Sequence, residues 1–410
     1  MFGWEFPPFK SGGLGTACYD LTKGLAQNGV NVTFVMPSAP ENAEAEFVKL
    51  LGTNTFSKTI KIKAFNSPLT PYMTSGQYND QYHTFNPCKS SKEGVIYGDN
   101  LYEEVFRFSI FATEVAKDES DAAVIHAHDW MTYQAGINAQ HVLKKPLVVH
   151  IHATEYDRTG GSPNPYIREI EEKGLREANL VIANSNFTKK NVIKHYNLDP
   201  EKIKVVHWGI DPCNPAYFMN YQSQINKKDK IILFLGRITI QKGPDYFVEA
   251  ARKVIDHYPD VKFVVAGSGD MLPRMIHRSA ELGMAEKMLF AGFLKGNDVH
   301  KAFQMADLYV MPSVSEPFGL VALESIKNGT PVLISKTSGV SEVLDHALKV
   351  DFWDVDKMAN QMISVLRYSD LHQELKENCA KEANIFNLDE PARKTIDIYK
   401  HALSIHQPAS

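Results

Sequence analysis

Residues 231–243, Ile-Ile-Leu-Phe-Leu-Gly-Arg-Ile-Thr-Ile-Gln-Lys-Gly, begin with five consecutive apolar residues and a glycine. An apolar run without polar alternation is typical of a strand that is buried on both faces of a parallel sheet. The segment after it has the periodicity of a helix. A buried strand followed by a helix is part of a βαβ unit, so this stretch predicts an α/β fold with a parallel sheet.

The same alternation of strand and helix extends in both directions along the chain. Apolar runs recur at 31–36, 122–127, 147–152, 180–183, 204–207, 262–266, 288–292, 308–311 and 331–335. Helical segments lie between them, for instance at 16–28, 130–144, 167–178 and 186–196. The pattern stops at about 211–230, where a polar stretch with two prolines indicates a connection between domains.

We therefore expect two doubly wound, Rossmann-like domains that face each other across a deep cleft. The N-terminal domain is predicted over 1–212 and the C-terminal domain over 213–388, with a final helix in 389–410 that packs back across the boundary. Residues 41–100 fit the alternation poorly and are expected to form an insertion near the rim. Ligands of such sheets bind beyond the carboxyl ends of the strands, which here is the cleft.

Composition excludes several classes of protein. The 410 residues carry 44 Lys and Arg against 48 Asp and Glu, a net charge of -4, which argues against nucleic acid as a partner. The four cysteines form no C-x-x-C pair, so a reducing, cytoplasmic location is expected. Neither a signal sequence nor an apolar run of membrane-spanning length occurs, so no integral membrane contact is expected. The first strand is short, which predicts further residues upstream of Met1.

A glycine-rich loop follows this first strand. Lys10 precedes Gly12, Gly13 and Gly15, and a helix is predicted to begin near Thr16. Glycines allow close approach of the backbone to a ligand, and the amides at a helix N-terminus attract anions. The loop is a candidate anion-binding element, and the alternative is a tight turn beside a solvated lysine.

Two basic residues follow the first strand of the second domain. Arg237 and Lys242 come after Gly236, and Gly267 ends the next strand. An arginine fork and a lysine point charge can together hold a diphosphate. The alternative is a pair of exposed basic side chains in a loop.

The densest motif is Ser315-Glu316-Pro317-Phe318-Gly319-Leu320, which leads to Glu324. Pro317 and Phe318 are predicted to open a helix whose first amides, at Gly319 to Val321, bind phosphate oxygens. Glu316 and Glu324 would then contact different parts of one ligand. The alternative is a solvated helix start with two acidic residues.

Histidines alternate at the ends of two strands, in His126-Ala127-His128-Asp129-Trp130 and His150-Ile151-His152. Spacing of two places each pair on one face, where it could chelate a metal, so a metal-dependent hydrolase is a rival interpretation. No carboxylate cluster completes a ligand set, and we predict no metal site. His128, Asp129 and His152 are better candidates for contacts with substrate. Asn184-Ser185-Asn186, after another strand, indicates a helix N-cap or a cleft role.

Together these motifs resemble a retaining glycosyltransferase of the GT-B fold, similar to the family-four glycosyltransferases and to glycogen and starch synthases. The resemblance covers nearly the whole chain and includes Lys-x-Gly-Gly-Leu-Gly, His-Ala-His-Asp-Trp, Arg-x₄-Lys and Glu-x₇-Glu in the family's order. It departs at Phe318, where bacterial glycogen synthases usually carry Cys, and at Ser338-Gly339, where they carry Gly-Gly.

The resemblance implies roles for the candidate residues. The resemblance assigns catalytic roles to His152, Glu316, Arg237 and Lys242. It assigns donor binding to a larger set, which consists of Lys10, Gly12, Gly13, Gly15, Gly236, Gly267, Phe318, Gly319, Leu320 and Glu324. Asp129 and Trp130 would shape the acceptor side. Arg237 and Lys242 would neutralise the diphosphate, Glu324 would accept from the ribose, and the His152 carbonyl would lie near the anomeric carbon. Positive charge on the leaving group is where such a catalyst gains most.

The leading hypothesis is glucose transfer from ADP- or UDP-glucose to the non-reducing end of an α-1,4-glucan. The nucleotide sugar is a substrate, and no cofactor is expected. Alternatives are another family-four hexosyltransferase that makes a disaccharide or polysaccharide, and a non-catalytic nucleotide-sugar binder. The base of the donor, the acceptor and the oligomeric state are left open by the sequence.

Overall fold

The computed structural model describes residues 1–7, 13–37, 47–52, 101–211 and 229–406. Its helices and parallel strands form two α/β units, each built on its own sheet. The predicted fold class is therefore confirmed. Lys10, Gly12, nearly all of the predicted insertion and most of the predicted connection lie outside the described residues.

The described part of the first unit contains six named strands, in a two-stranded and a four-stranded group joined through Phe2. They are β1 Thr33–Met36, β2 Lys49–Gly52, β3 Ile125–His128, β4 Leu147–Ile151, β5 Leu180–Ala183 and β6 Ile203–Val205. Strands β3 to β6 pair in sequence order, and Phe2 bridges Val35 of β1 and Ala127 of β3 in parallel. The helices are α1 Gly13–Gln27, α2 Leu101–Asp118, α3 Trp130–Leu143, α4 Glu155–Arg158, α5 Pro165–Glu177 and α6 Asn186–Tyr196.

The second sheet contains β7 Lys230–Leu235, β8 Val261–Ala266, β9 Met288–Gly292, β10 Leu308–Met311, β11 Val332–Ser335 and β12 Leu348–Val350. Its order is β12-β11-β10-β7-β8-β9, with all pairs parallel. The helices are α7 Pro244–His257, α8 Leu272–Glu281, α9 Asn297–Met305, α10 Leu320–Lys327, α11 Val355–Arg367 and α12 Ser369–Ala383. The order reverses between β7 and β10, and ligands of doubly wound sheets bind at such a switch point.

The last helix, α13 Asp389–Ile405, lies on the first unit. Its Ile398 and Ala402 share a buried cluster with Val148, Leu180 and Ile182 of the first sheet. Burial of apolar surface contributes about 25 cal/mol per Å², which holds this helix against the first unit. Among the described helices, none combines the length and apolar character that a bilayer crossing requires.

Two predicted helix starts were wrong. Helix α1 begins at Gly13 instead of Thr16, so Gly13 and Gly15 belong to its first turn. Helix α10 begins at Leu320 instead of Pro317, with Gly319 as its N-cap. The reason in the second case is a long-range pairing: Glu316 forms a parallel bridge with Ser338, and the Val340 amide donates to the Phe318 carbonyl. These bonds keep residues 316–318 outside the helix.

Candidate active site

The loops after β7 and β10 meet at the switch point of the second sheet. Lys242, in a 3₁₀ turn over Ile240–Lys242, places its Nζ 2.5 Å from Oε2 of Glu316. Ser313 donates to the same oxygen at 3.2 Å. The Arg237 guanidinium, at the start of this loop, donates to Oε1 of Gln241 at 2.7 Å. Three of the four residues predicted as catalytic therefore lie at one strand edge, with Glu316 fixed by Lys242 and Ser313.

Glycines let the backbone pack closely around this edge. A methyl group on Gly267 would overlap the carbonyl oxygen of Gly236, so the ends of β7 and β8 approach each other only as glycines. Gly319 has φ of +109°, which favours glycine, and an added Cβ there would lie 3.3 Å from Cγ of Glu316. Gly319 thus turns the chain from Glu316 into α10. The amides in the first turn of α10 lack helical acceptors, which suits an anion.

The remaining predicted donor-side residues differ in exposure. Glu324 is half-buried in the second turn of α10. Tyr309 lies between the two glutamates: burial raises the pKa of this phenol well above its ordinary value, and the charges of Glu316 and Glu324 add to the effect. Phe318 is buried in the core, so its side chain supports the loop rather than offering an open surface. Leu320 begins α10 and is half-buried.

In the first unit, His152 is buried and held by backbone contacts directly after β4. Its amide donates to Oδ1 of Asp129 at 2.8 Å, and its carbonyl accepts from Nδ2 of Asn184 at 3.0 Å. Burial lowers the pKa of His152 to about 3, with a smaller effect from the charge of Arg158, so the imidazole is neutral at physiological pH. A neutral His152 can hydrogen-bond to a substrate but cannot supply a positive charge.

Asp129 and Trp130, both predicted on the acceptor side, are buried. Asp129 has φ of +60°, unusual for a non-glycine residue, and its second carboxylate oxygen lies 3.3 Å from Arg158. Burial raises the pKa of Asp129, and Arg158 partly offsets this rise. Strain of this kind is typical of functional sites. Both oxygens of the carboxylate are engaged within the first unit, so Asp129 fixes His152, while Trp130 packs in the core at 2% exposure.

Arg158 is the centre of a buried network that the sequence did not reveal. Its guanidinium lies 2.8 Å from Oε1 of Glu171 and 3.6 Å from Glu155, and it donates to the Ala153 carbonyl at 2.6 Å. Tyr196 hydrogen-bonds to the other oxygen of Glu171. Burial raises the pKa of Glu171 to about 7 against the opposing effect of Arg158. The network anchors the segment after β4 that carries His152.

The alternating histidines form a buried stack on one face of the first sheet. His126, His128 and His150, within the described residues, could offer ligand atoms within 4.8 Å of one another, as could Cys18 with His128 and His152. The rings of the first group are stacked at 5° to 29°, which directs their lone pairs side by side and not to one point. Burial raises the pKa of the Cys18 thiol and so disfavours the thiolate that binds metals. The stack fits packed neutral rings better than a metal-dependent hydrolase.

The two units touch beside these groups. Ser185 donates to the Pro317 carbonyl at 2.5 Å, and Ser315 donates to Oδ1 of Asp157 at 2.5 Å. Ser185 also caps α6 by accepting from the Thr188 amide at 2.9 Å, which confirms the predicted N-cap. Glu342 of the second unit accepts from the amides that open α6. The segment with Glu316 is therefore held from both sides of the cleft.

Several of these residues escaped sequence reasoning. They come from segments far apart in the chain: Asp157, Arg158, Glu171, Thr188, Gln241, Ser313 and Glu342. The one local signal was position, since each of five lies within seven residues of the carboxyl end of a strand: Asp157, Arg158, Thr188, Ser313 and Glu342. A scan of charged and hydroxyl residues over that distance would have found these five.

Comparisons with known proteins give matches over nearly the whole chain. The family model described as Glycosyltransferase Family 4 matches residues 11–213, and the model described as Glycosyl transferases group 1 matches residues 219–382. A Methanocaldococcus jannaschii protein described as an uncharacterized glycosyltransferase is 30% identical over 99% of this chain and 98% of its own length. A D-inositol 3-phosphate glycosyltransferase of a Mycobacterium species is 30% identical over 64% of this chain and 63% of its own length.

Solved structures share the fold at low sequence identity. The Anabaena protein HepE in complex with UDP and glucose superimposes with a TM-score of 0.69 at 17% identity, covering 98% of each chain. Sucrose-phosphate synthase from Thermosynechococcus elongatus gives a TM-score of 0.73 at 17% identity, covering 96% of this chain and 94% of its own. At this identity the similarity concerns the fold alone.

Proposed function

The chain belongs to the glycosyltransferases, and we propose that it transfers glucose, with retention, from a nucleoside-diphosphate glucose to a sugar hydroxyl. The observation that carries this proposal is the cluster of Arg237, Lys242 and Glu316 at the switch point of the second sheet. Two fixed cations beside an oriented carboxylate suit a substrate with a diphosphate at one end and hydroxyls at the other.

The proposed chemistry follows from charge. When the bond between the anomeric carbon and the diphosphate breaks, negative charge develops on the leaving oxygen. Arg237 and Lys242 would stabilise this charge, and helix α10 would add its first amides. Glu316, held by Lys242 and Ser313, would accept hydrogen bonds from hydroxyls of the sugar. No metal or other cofactor is part of the proposal, because the basic residues neutralise the leaving group.

The first unit would contribute the other wall. The His152 carbonyl would lie near the anomeric carbon, and its neutral ring would hydrogen-bond to the donor sugar. Lys10 and the glycines at 12, 13 and 15 would approach the sugar and diphosphate. The acceptor hydroxyl would attack from the face that the diphosphate leaves. For Asp129 and Trp130 we propose a supporting role, in agreement with their burial.

For the acceptor, we propose the non-reducing end of an α-1,4-glucan, on the basis of the Lys-x-Gly-Gly-Leu-Gly sequence at residues 10–15. A small phosphorylated acceptor is the second candidate. The match to a D-inositol 3-phosphate glycosyltransferase favours it. Both candidates share the proposed donor site.

The test is incubation of the purified protein with radiolabelled UDP-glucose or ADP-glucose and each acceptor in turn. Extended maltooligosaccharides would support the first candidate, and labelled products with inositol 3-phosphate or fructose 6-phosphate would support the second. Absence of transfer from either donor to any sugar hydroxyl would reject the proposed reaction.

The site assignment is tested by Lys242→Ala and Glu316→Ala. Loss of a group that stabilises charge in the transition state costs about 10²- to 10³-fold in kcat, so each variant should fall by that order with folding intact. Lys253→Ala is the matched control, because Lys253 is a largely exposed lysine on α7 that pairs with Asp356 outside the site. Activity of Lys242→Ala equal to that of the control would contradict the assignment.

A further inference from the structure

A chain of buried hydrogen bonds runs from the Pro317 carbonyl in the second unit to the His152 carbonyl in the first. Ser185 donates to the Pro317 carbonyl at 2.5 Å and accepts from the Thr188 amide at 2.9 Å. The Thr188 hydroxyl donates to Oδ1 of Asn184 at 2.7 Å. Asn184 in turn donates through Nδ2 to the His152 carbonyl at 3.0 Å.

Each hydroxyl in this chain has one proton for one acceptor. The Ser185 hydroxyl uses its proton on Pro317, so its oxygen can accept from the Thr188 amide. The Thr188 hydroxyl, which is also 3.2 Å from the Pro317 carbonyl, has its shorter contact with Asn184. That contact fixes the amide orientation of Asn184, with oxygen toward Thr188 and nitrogen toward His152. All three side chains are buried, so water does not compete for these bonds.

The two ends of the chain are functionally different. Pro317 follows Glu316 directly, so its carbonyl reports the position of the segment that holds Glu316 against Lys242. The His152 carbonyl belongs to the opposite wall of the cleft. The hydrogen bond from Ser185 to the Pro317 carbonyl therefore depends on whether the second unit has closed on the first.

We propose that Asn184, Ser185 and Thr188 are positioning residues that couple closure of the second unit on the first to the placement of the His152 carbonyl. The inference rests on the proposed function, because the His152 carbonyl matters only where a sugar is transferred. Binding of a nucleotide to the second unit alone does not need this chain, whereas turnover does. Loss of the coupling should therefore lower kcat and leave the affinity for the nucleotide unchanged.

The test is the pair Thr188→Val and Thr188→Ser. Valine keeps the shape of threonine and removes the hydroxyl, while serine keeps the hydroxyl. We expect Thr188→Val to lower kcat at least tenfold, with the Kd for UDP changed less than twofold, and Thr188→Ser to retain kcat within threefold of wild type. Equal kcat in Thr188→Val and wild type, or an equal loss in both variants, would overturn the proposal.

Thr395→Val is the matched control. Thr395 is also a buried threonine whose hydroxyl donates to a backbone carbonyl, that of Pro391 at 2.8 Å, but it lies in α13. We expect this variant to lose stability and keep kcat. A fall in kcat as large as that of Thr188→Val would mean that any buried hydroxyl has this effect, and would overturn the proposal.

A second measurement separates this inference from the proposed function. Hydrogen exchange of the unliganded Ser185→Ala protein should increase at residues 150–153, to which Ser185 is linked through Thr188 and Asn184. Unchanged exchange there would overturn the coupling even if the wild type transfers glucose. If the wild type transfers no sugar, the proposed reaction fails, while faster exchange at 150–153 would still support the coupling.

Discussion

At the scale of single residues, the buried histidines are the most unusual feature of the first unit. Burial lowers the pKa of His126, His128, His150 and His152. Repulsion from neighbouring histidines adds to this for the first three, and the charge of Arg158 adds to it for His152. Within the described residues, both ring nitrogens of His150 lack a hydrogen-bond partner. Its ring stacks on Trp208 at 4.9 Å between centroids. His150 therefore contributes packing while it leaves buried polar atoms unsatisfied.

The direction of these pKa shifts determines whether acid raises or lowers the free energy of unfolding. A histidine whose pKa in the folded state lies below its unfolded value of about 6.5 takes up a proton on unfolding, so the free energy of unfolding falls as pH drops below that value. Glu171 acts in the opposite direction, because its pKa is raised to about 7 and its contribution is lost as pH rises above about 4.5. Asp129 and Glu155 also have raised pKa values, but the ordinary pKa of a carboxyl group is well below that of a histidine. The four histidines therefore dominate just below pH 6.5, where acid should destabilise the protein.

His150→Phe tests this at one position. Phenylalanine keeps the stack and removes two unsatisfied buried nitrogens, so we expect the free energy of unfolding at pH 7 to rise by about 1 kcal/mol. Below pH 6 its acid-induced loss should be smaller than that of wild type by about 1.4 kcal/mol per pH unit. Urea unfolding at several pH values measures both quantities. His401→Phe, at an exposed position of α13, should change neither, and a variant with the wild-type pH slope would contradict the explanation.

At the scale of elements, strands were easier to predict than the starts of helices. The runs at 180–183 and 308–311 coincide with β5 and β10, because continuous burial leaves a continuous apolar run. The run at 288–292 coincides with β9, although this edge strand is only partly buried. The start of α10 was missed because pairing of Glu316 with Ser338 keeps the preceding residues out of the helix. Ser338 is far along the chain, and no local pattern encodes such a pairing.

The packing of α13 gives the element-scale prediction. Gly24 lies in α1 where a Cβ would be 2.5 Å from the Leu388 carbonyl and 3.1 Å from Cβ of Ala392. Alanine would gain about 1 kcal/mol in helix propensity, but overpacking against a backbone carbonyl costs about 1–3 kcal/mol. We expect Gly24→Ala to lower the free energy of unfolding and to expose α13 to limited proteolysis. A rise in stability would contradict this, because it would show that the turn before α13 moves to accommodate the added methyl group.

Gly209→Ala provides an independent approach to the same turn. A Cβ at this position would overlap the Asn387 carbonyl, and Gly209 lies in the segment after β6 instead of in α1. The same release of α13 is expected. Normal protease resistance in both variants would mean that α13 is not held by these close contacts.

At the scale of the whole molecule, the sequence could predict each half of the site but not how the halves meet. Arg237, Lys242 and Glu316 follow strand ends of one sheet, so strand order brings them together, and local pattern was enough to select them. Contacts between the units, such as Ser185 with Pro317, depend on the relative placement of two folded bodies. That placement depends on the surfaces of the two folded units, and no local periodicity in the sequence encodes how these surfaces fit together.

One contact between the units is electrostatic. Glu342 accepts from the Asn186 amide at 2.9 Å and from the Phe187 amide at 2.6 Å, both at the N-terminus of α6, and lies 3.0 Å from Nε2 of His207. Burial raises the pKa of Glu342, but the hydrogen bonds from His207 and these amides outweigh it and leave the pKa below its ordinary value. The carboxylate therefore stays charged above about pH 4.5 and favours the closed arrangement there.

Glu342→Ala should consequently open the cleft. Loss of a charge at a helix N-terminus, together with its hydrogen bonds, removes about 1–3 kcal/mol from the closed arrangement, enough to populate open molecules. We expect a larger radius of gyration than that of the wild type in small-angle X-ray scattering at pH 7. Glu374→Ala, which changes an exposed acidic residue on α12, should scatter like wild type. If Glu342→Ala keeps the wild-type radius at this pH, the hydroxyl contacts at Pro317 and Asp157 hold the units together without it.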